Sequence, residues 1–478
     1  MKKRDKIELD ITGYAFEGKG IAKINREMTD KEADKDKKYV VFVNGSYPGD
    51  RVVAQIHKVK KSFAEGKTAE VLTASPERTE PKCKHFSVCG GCKSQDLKYD
   101  SQLKYKHEQV RDIFERLGGL KDFEMLPIIP SDKVFHYRNK MEFSFAKRWL
   151  TEKEIGSDLE IIDKEFALGL HIPRIYDKVV DLDVCYLCSE VFTEILNFTR
   201  DFFKQRGTEI YSTNTHTGYL RNLVVKQSHN TKDLMVNLVT SKYDEKLMKE
   251  YTDHLLKTVP DVTTVINNIN EKKAQVAVGD FEHVFYGEGN IYDSIGEYKF
   301  HISANSFFQT NTLQAEKLYG TALEFAELTG DEIVYDLYSG AGTIAIYISK
   351  YADKVYAFES VEPAIKDAEI NSRLNNIDNV IYRQTDLNKS IISSINNDGF
   401  PQPDVIIADP PRGGMNPKTV QDILKLKPRK LVYVSCNPAT QVRDIKLLVE
   451  GGYKLIKIRP VDMFPHTYHI ENVALLKL

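Results

Sequence analysis

From about Asn311 onward the chain alternates short apolar strand patterns with long amphipathic segments, and this alternation leaves few folds open. Strand patterns end near Gly340, Ser360, Asp386, Pro411 and Cys436, and helix-length segments separate them. Such spacing requires crossover connections, so it predicts a parallel sheet with helices on both faces. The last two patterns, Tyr453–Met463 and Asn472–Leu478, leave no room for a helix between them. They are expected to form an antiparallel hairpin at the sheet edge.

A chain of 478 residues exceeds one such unit, and two to four domains are expected. Residues 1–74 read as a small all-β unit, with alternating runs cut by Gly, Pro, Asn and Asp in the pattern of a five-stranded barrel. Within it, the polar run from Asn25 to Lys38 is expected to form a long solvated hairpin loop. The stretches DITGYAFEGKGIAKI and YPGDRV together resemble a TRAM domain, an RNA-binding module, and Tyr14 and Phe16 stand beside lysines as RNA-binding barrels arrange them. Residues 75–300 are expected to form a mixed α+β region that includes helices over 99–117 and 189–206, and residues 301–478 a doubly wound, Rossmann-like domain whose closing hairpin resembles the class I methyltransferase arrangement. With Lys+Arg 67 against Asp+Glu 69, the net charge is −2, so any nucleic-acid surface must be local. No apolar run is long enough for a membrane span, no signal peptide is evident, and the expected location is cytoplasmic, with no membrane or protein partner implied.

The carboxyl ends of the strands carry the chemistry. Asp336-Leu337-Tyr338-Ser339-Gly340-Ala341-Gly342-Thr343 lies between a strand and a helix, where glycines let the backbone approach a ligand. Glu359, ending the second strand, is placed to accept hydrogen bonds from ribose hydroxyls, and Asp386 ends the third strand in the same way. Asp409-Pro410-Pro411-Arg412-Gly413-Gly414 puts a carboxylate and a rigid turn at the fourth. Cys436, in Ser435-Cys436-Asn437-Pro438, ends the fifth, where the turn presents a thiol as a soft nucleophile. The segment Asp462–Glu471 supplies titratable groups and a general base. In the middle region Arg138 and Arg221 stand beside tyrosines, as RNA contacts or as solvated sheet surface.

DLYSGAGT, DPPRGG, SCNP and FPHTYHIE, preceded by SANSFFQTN, resemble in order and spacing the RNA 5-methyluridine methyltransferase family. With the TRAM-like start and a cysteine cluster, the resemblance is closest to the iron-sulfur 23S ribosomal RNA uracil-C5 methyltransferases. It implies methyl transfer from S-adenosyl-L-methionine to uracil carbon 5 through a covalent cysteine adduct. Cys436 matches the nucleophile and Glu471 the base, while Gln309, Tyr338, Glu359 and Asp409 match cofactor contacts, with Asp386 as a further one. Phe307 is placed either to stack on a flipped base or to pack in the core. Ser339 departs from the cysteine that many relatives carry there.

Cys83, Cys89 and Cys92, with two glycines between the last pair, resemble the family's 4Fe-4S site, with Cys185 at the position of the distant fourth ligand. Four thiolates suit zinc as well, and Cys89 and Cys92 with Cys185 and Cys188 would make such a site. Transfer RNA is the alternative substrate, since relatives specialised for it generally lack the TRAM-like domain and the cluster. A non-catalytic RNA-binding protein would have no use for Cys436 and Glu471. Amino-group methylation would call for Tyr or Phe where Arg412 stands.

Overall fold

The computed structural model describes residues 1–25, 38–150, 164–173, 175–274 and 276–478. Most of the polar run expected to form a hairpin loop, 25–38, lies outside them.

The first sheet contains β1 (Lys6–Asp10), β2 (Gly13–Ala15), β3 (Lys19–Ile24), β4 (Tyr39–Asn44), β5 (Arg51–Val59) and β6 (Phe63–Thr73), in the order β1-β5-β6-β4-β3-β2. It has six strands rather than five, because the chain reverses at Glu17-Gly18, both left-handed (φ 69° and 78°), and adds the short β2. Leu9, Val41, Val43, Val52, Ala54 and Ile56 fill its core. This unit does not stand apart. The Tyr14 ring lies 5.4 Å from both Tyr47 and Tyr105, Phe16 packs on the core of the C-terminal domain, and the carboxamide of Gln109 donates to the carbonyl of Ala15 at 3.0 Å.

Helix α1 (Tyr99–Asp112), continued by a π turn at Ile113–Leu117, leads to β7 (Glu124–Met125). The second sheet contains β8 (Lys140–Arg148), β9 (Ala167–Ile172), β10 (Ile175–Asp181), β11 (Leu220–Gln227), β12 (Leu234–Thr240), β13 (Thr264–Ile269) and β14 (Phe281–Tyr286), in the order β10-β9-β8-β11-β12-β13-β14. Helices α2 (Glu190–Gln205) and α3 (Glu245–Thr258) bury Phe192, Phe203, Met248 and Tyr251 against one face. The hairpin of β15 (Asn290–Ile295) and β16 (Tyr298–Ser303) follows.

The third sheet is built from β17 (Ile333–Leu337), β18 (Lys354–Glu359), β19 (Val380–Gln384), β20 (Val405–Ala408), β21 (Lys430–Ser435), β22 (Lys454–Val461) and β23 (Glu471–Lys477). The connecting and flanking helices are α4 (Thr312–Ala326), α5 (Thr343–Ile348), α6 (Glu362–Leu374), α7 (Ile392–Asp398), α8 (Pro417–Leu426) and α9 (Pro438–Glu450). Its order, β19-β18-β17-β20-β21-β23-β22-β7, is parallel through β21, and β23 runs antiparallel between β21 and β22. Separate apolar clusters cover its two faces, as a doubly wound sheet requires.

Packing does not follow contiguous sequence. Although β7 lies far upstream, it extends the third sheet beside β22, while Ile291, Phe300 and Ile302 of the β15–β16 hairpin join the third sheet's core. Among the described residues no helix is long and apolar enough to cross a membrane.

Candidate active site

The carboxyl edge of the third sheet gathers the residues singled out in its motifs. After β17 the backbone turns left-handed at Tyr338, Gly340 and Gly342 (φ 67°, 54° and 76°). A Cβ on Gly342 would lie 2.5 Å from the Tyr382 hydroxyl, so packing and conformation both demand glycine there. A Cβ on Gly340 would meet nothing within 4 Å, which leaves open space over the loop. Glu359 holds this loop: one carboxylate oxygen accepts from the Gly340 N–H at 3.0 Å, and the other accepts from Ser360 and Val361 at 2.7 and 2.9 Å.

Beneath the loop, Asp336 is fully buried, and no side chain hydrogen-bonds to its carboxyl. Burial, and then the charges of Asp409 and Glu359, push its carboxyl well above the ordinary range. Asp409 is raised to about 7 by burial. Three carboxyl groups thus converge on an open loop, and buried acids in that arrangement favour a cationic ligand. The ammonium and sulfonium of S-adenosylmethionine fit that requirement. Asp336 received no role in the sequence reading, although its place at the end of a strand was the available signal.

The Asp409 turn and the Cys436 turn are fastened together. Asn437 caps α9 by accepting from Ala439 at 3.2 Å and donates to the Arg412 carbonyl at 3.3 Å. Thr440 donates to the same carbonyl at 3.2 Å. Because Ser435 on β21 pairs with Asn472 on β23, Cys436 and Glu471 are the next residues outward on adjacent strands. Burial pushes the Cys436 thiol up to about 12, Glu471 and Asp409 push the same way, and Arg412 opposes them. Burial and Asp409 hold the Glu471 carboxyl well above its ordinary value, again against Arg412. Arg412 is therefore a cation facing the pair, a role that the DPPRGG motif had not received. His466 and His469 are pushed down to about 4, mainly by burial, and are neutral at pH 7.

The other expected site residues fall into different settings. Phe307 is 68% exposed whereas Phe308 is in the core; the buried Lys226 ammonium supports their loop by donating to the carbonyls of Ser303 and Ser306 at 2.8 and 3.0 Å. The backbone carbonyl of Gln309 accepts from the Asn139 side chain at 2.9 Å. Asp386 is exposed and turned to its own loop, accepting from the Asn388 N–H at 3.0 Å and pairing with Lys389 at 3.3 Å. Arg138 lies over the Phe464 ring at 5.7 Å, bringing it to the loop that precedes Glu471. Arg221, expected as an RNA contact or solvated surface, is 1% exposed. Its guanidinium donates to the carbonyls of Lys272 and Ala274 at 2.5 and 2.9 Å and lies over the Tyr211 ring, so it organises the 272–274 segment instead of facing solvent.

The cysteine loop rests on the β9–β10 hairpin. His85 bonds Asp183 at 2.7 Å, two residues before Cys185, and a Cβ on Gly90 would lie 2.5 Å from the His171 carbonyl oxygen. The Gly91 N–H and the Gln95 carboxamide donate to the sulfurs of Cys89 and Cys92 at 3.4 and 3.3 Å. Burial pushes both thiols up to about 12, and the charges of Cys185 and Cys83 add to the rise. Among the described residues, however, no group of three or more His, Cys, Asp or Glu is gathered so as to hold a metal ion.

Residues 227–478 match the family described as tRNA (Uracil-5-)-methyltransferase, and residues 2–69 match the TRAM domain. The chain is 44% identical over 476 residues to an uncharacterized RNA methyltransferase of Chlorobaculum tepidum, covering 99% of this chain and 96% of that protein. It is 37% identical over 478 residues to one of Halalkalibacterium halodurans, covering 100% and 98%. The crystal structure of Pyrococcus abyssi tRNA (uracil-54, C5)-methyltransferase in complex with S-adenosyl-L-homocysteine is similar with a TM-score of 0.74 and 28% identity, over 98% of this chain and 99% of that one.

Proposed function

Because the chain belongs to the tRNA (uracil-5-)-methyltransferase family and is thus an S-adenosylmethionine-dependent RNA methyltransferase, we propose that it methylates carbon 5 of a uridine in 23S ribosomal RNA through a covalent adduct with Cys436. The observation that carries the covalent route is the placement of Cys436 and Glu471 on adjacent strands beside Asp409.

The Cys436 thiolate adds to carbon 6, and the displaced electron pair makes carbon 5 enolate-like and nucleophilic. Bound S-adenosylmethionine supplies the methyl group as a sulfonium. Glu471 then takes the proton from the methylated carbon 5, and the freed pair restores the carbon 5–carbon 6 double bond as the thiolate leaves. A carboxyl held at high proton affinity is a strong base once ionised. Asp336, Glu359, Tyr338, Gln309 and the glycine loop would hold the cofactor, and Asp409 would bond the uracil edge. Exposed Phe307 would stack on an extruded base, with Arg138 and the TRAM barrel contacting flanking RNA.

Cys83, Cys89, Cys92 and Cys185 would hold a 4Fe-4S cluster. The donors aimed at the Cys89 and Cys92 sulfurs and the glycines beneath the loop support this, since such hydrogen bonds stabilise bound thiolates.

Transfer RNA is the second reading. It is favoured by the whole-chain likeness to the Pyrococcus abyssi enzyme, which removes domain layout as an argument for ribosomal RNA. Mass mapping of 5-methyluridine in both RNAs from a deletion strain decides between them. Loss from 23S RNA alone supports the first reading, loss from transfer RNA alone supports the second, and loss from neither overturns both.

A further inference from the structure

Five residues before Glu471, His466 has a left-handed backbone, φ 63°, which is uncommon for any residue with a Cβ. Such a conformation persists where its surroundings impose it, and here the restraint comes from three separate parts of the chain. The Gln102 carboxamide, on α1, accepts from the His466 N–H at 2.8 Å and donates to its ring Nδ1 at 3.1 Å. The N–H groups of Lys93 and Ser94, just after Cys92, donate to the His466 carbonyl at 2.7 and 3.2 Å. Phe135 stacks on the ring at 4.4 Å, and the Tyr137 hydroxyl donates to the neighbouring Pro465 carbonyl at 3.1 Å. Both Gln102 and His466 are buried, at 2% and 5% exposure. The Gln102 amide nitrogen also donates to the carbonyls of Leu97 and Ser94 at 2.8 and 3.0 Å, so its orientation is fixed and its two hydrogens are shared among those carbonyls and Nδ1, while its single oxygen serves the His466 N–H.

Only Thr467, Tyr468, His469 and Ile470 separate this joint from Glu471, and the Thr467 hydroxyl ties the turn by donating to Phe464 at 2.8 Å and accepting from the His469 N–H at 3.2 Å. We propose that Gln102 is a positioning residue for the final step of the reaction: by clamping His466 left-handed, it sets where Glu471 stands opposite Cys436. The proposal rests on the reading of Glu471 as the base. Gln102 touches neither the cofactor loop nor the Cys436 turn, so its loss should spare S-adenosylmethionine binding and carbon–sulfur bond formation and slow the removal of the carbon 5 proton. Misplacement by about 1 Å is enough to cost a step on the order of 100-fold.

The test uses the full-length protein, methyl-labelled S-adenosylmethionine and an unmodified transcript that the wild type methylates. Gln102→Ala should lower turnover by about 10- to 100-fold, accumulate a labelled protein–RNA adduct that survives denaturing electrophoresis, and keep cofactor affinity within about twofold of wild type. A second pair avoids dependence on the folding of that variant. His466→Asn, which tolerates the left-handed region and keeps a side-chain acceptor, should retain most turnover, whereas the β-branched His466→Val should accumulate adduct. Turnover near wild type in Gln102→Ala, slow turnover without labelled adduct, or equal behaviour of His466→Asn and His466→Val overturns the proposal. Glu471→Gln is run alongside: adduct there but not in Gln102→Ala sinks the clamp alone, and adduct in neither sinks the assignment of the base and the clamp with it.

Discussion

Cys436 and Glu471 stand one step beyond the Ser435–Asn472 pair of the antiparallel β21–β23 ladder, so two residues separated by 35 positions in sequence face one another across neighbouring strands. This depends on the chain's closing hairpin. A final parallel strand would have needed a crossover helix and would have presented its opposite end to the thiol. The antiparallel return of β23 instead begins at the active edge, and its first residue is Glu471.

That geometry separates two roles by mutation. Cys436→Ala should abolish both methylation and covalent adduct while cofactor binding through Glu359 and the glycine loop persists. Glu471→Gln should retain addition and methyl transfer but accumulate a methylated adduct. Electrophoresis under denaturing conditions with labelled cofactor reads both, and wild-type turnover in Glu471→Gln would overturn its assignment.

The pH dependence follows from the neighbours of the thiol. Burial, Glu471 and Asp409 push Cys436 up to about 12, so at neutral pH nearly all of it is protonated. Below that value the thiolate fraction rises about tenfold per pH unit, and addition to 5-fluorouridine RNA should accelerate from pH 6 to 9. Arg412→Gln removes an opposing cation and should slow addition at a fixed pH. A flat pH profile would contradict this account. His466 and His469, held near 4, should contribute no ionisation across that window.

Asp336 should trade stability for binding. Its carboxyl is buried without a side-chain partner, and an uncompensated buried carboxyl disfavours the folded state. The sign follows from its raised folded-state value: its proton-linked contribution is present in acid and is lost as pH rises through that value. Asp336→Asn should therefore raise the Tm of the cofactor-free protein at pH 8 and shrink the Tm gain produced by S-adenosylmethionine. Calorimetry with and without the cofactor measures both effects, and an undiminished gain would remove Asp336 from the binding site.

The strand-end motifs were legible because their chemistry is local: a strand, its terminal acid or thiol and the following glycines or proline lie within a few residues. What escaped depends on distant contacts. Nothing periodic in Glu124-Met125 signals that β7 extends a sheet formed mainly more than 200 residues later. Arg221 looks like a charge on the solvated face of a strand, yet two carbonyls some 50 residues away take its guanidinium inside. Asp386 ends its strand pattern as Glu359 does, but its own loop and Lys389 take the carboxylate. The Gln102–His466 clamp joins residues 364 positions apart and has no motif of its own.

The two cysteines of Cys185-Tyr186-Leu187-Cys188 should separate in a metal assay. Cys188 is fully buried in the core of the second sheet, where it donates to the Cys185 carbonyl at 3.5 Å. Cys185 instead stands close enough to Cys83, Cys89 and Cys92 for its charge to raise all three thiols. Protein purified without oxygen should be brown, and Cys185→Ser should lose both colour and iron. Cys188→Ser should keep the iron but lower the Tm, because it places a hydroxyl in an apolar core. Stoichiometric zinc without iron would overturn the cluster assignment, and loss of iron from Cys188→Ser with retention in Cys185→Ser would move the fourth ligand to Cys188.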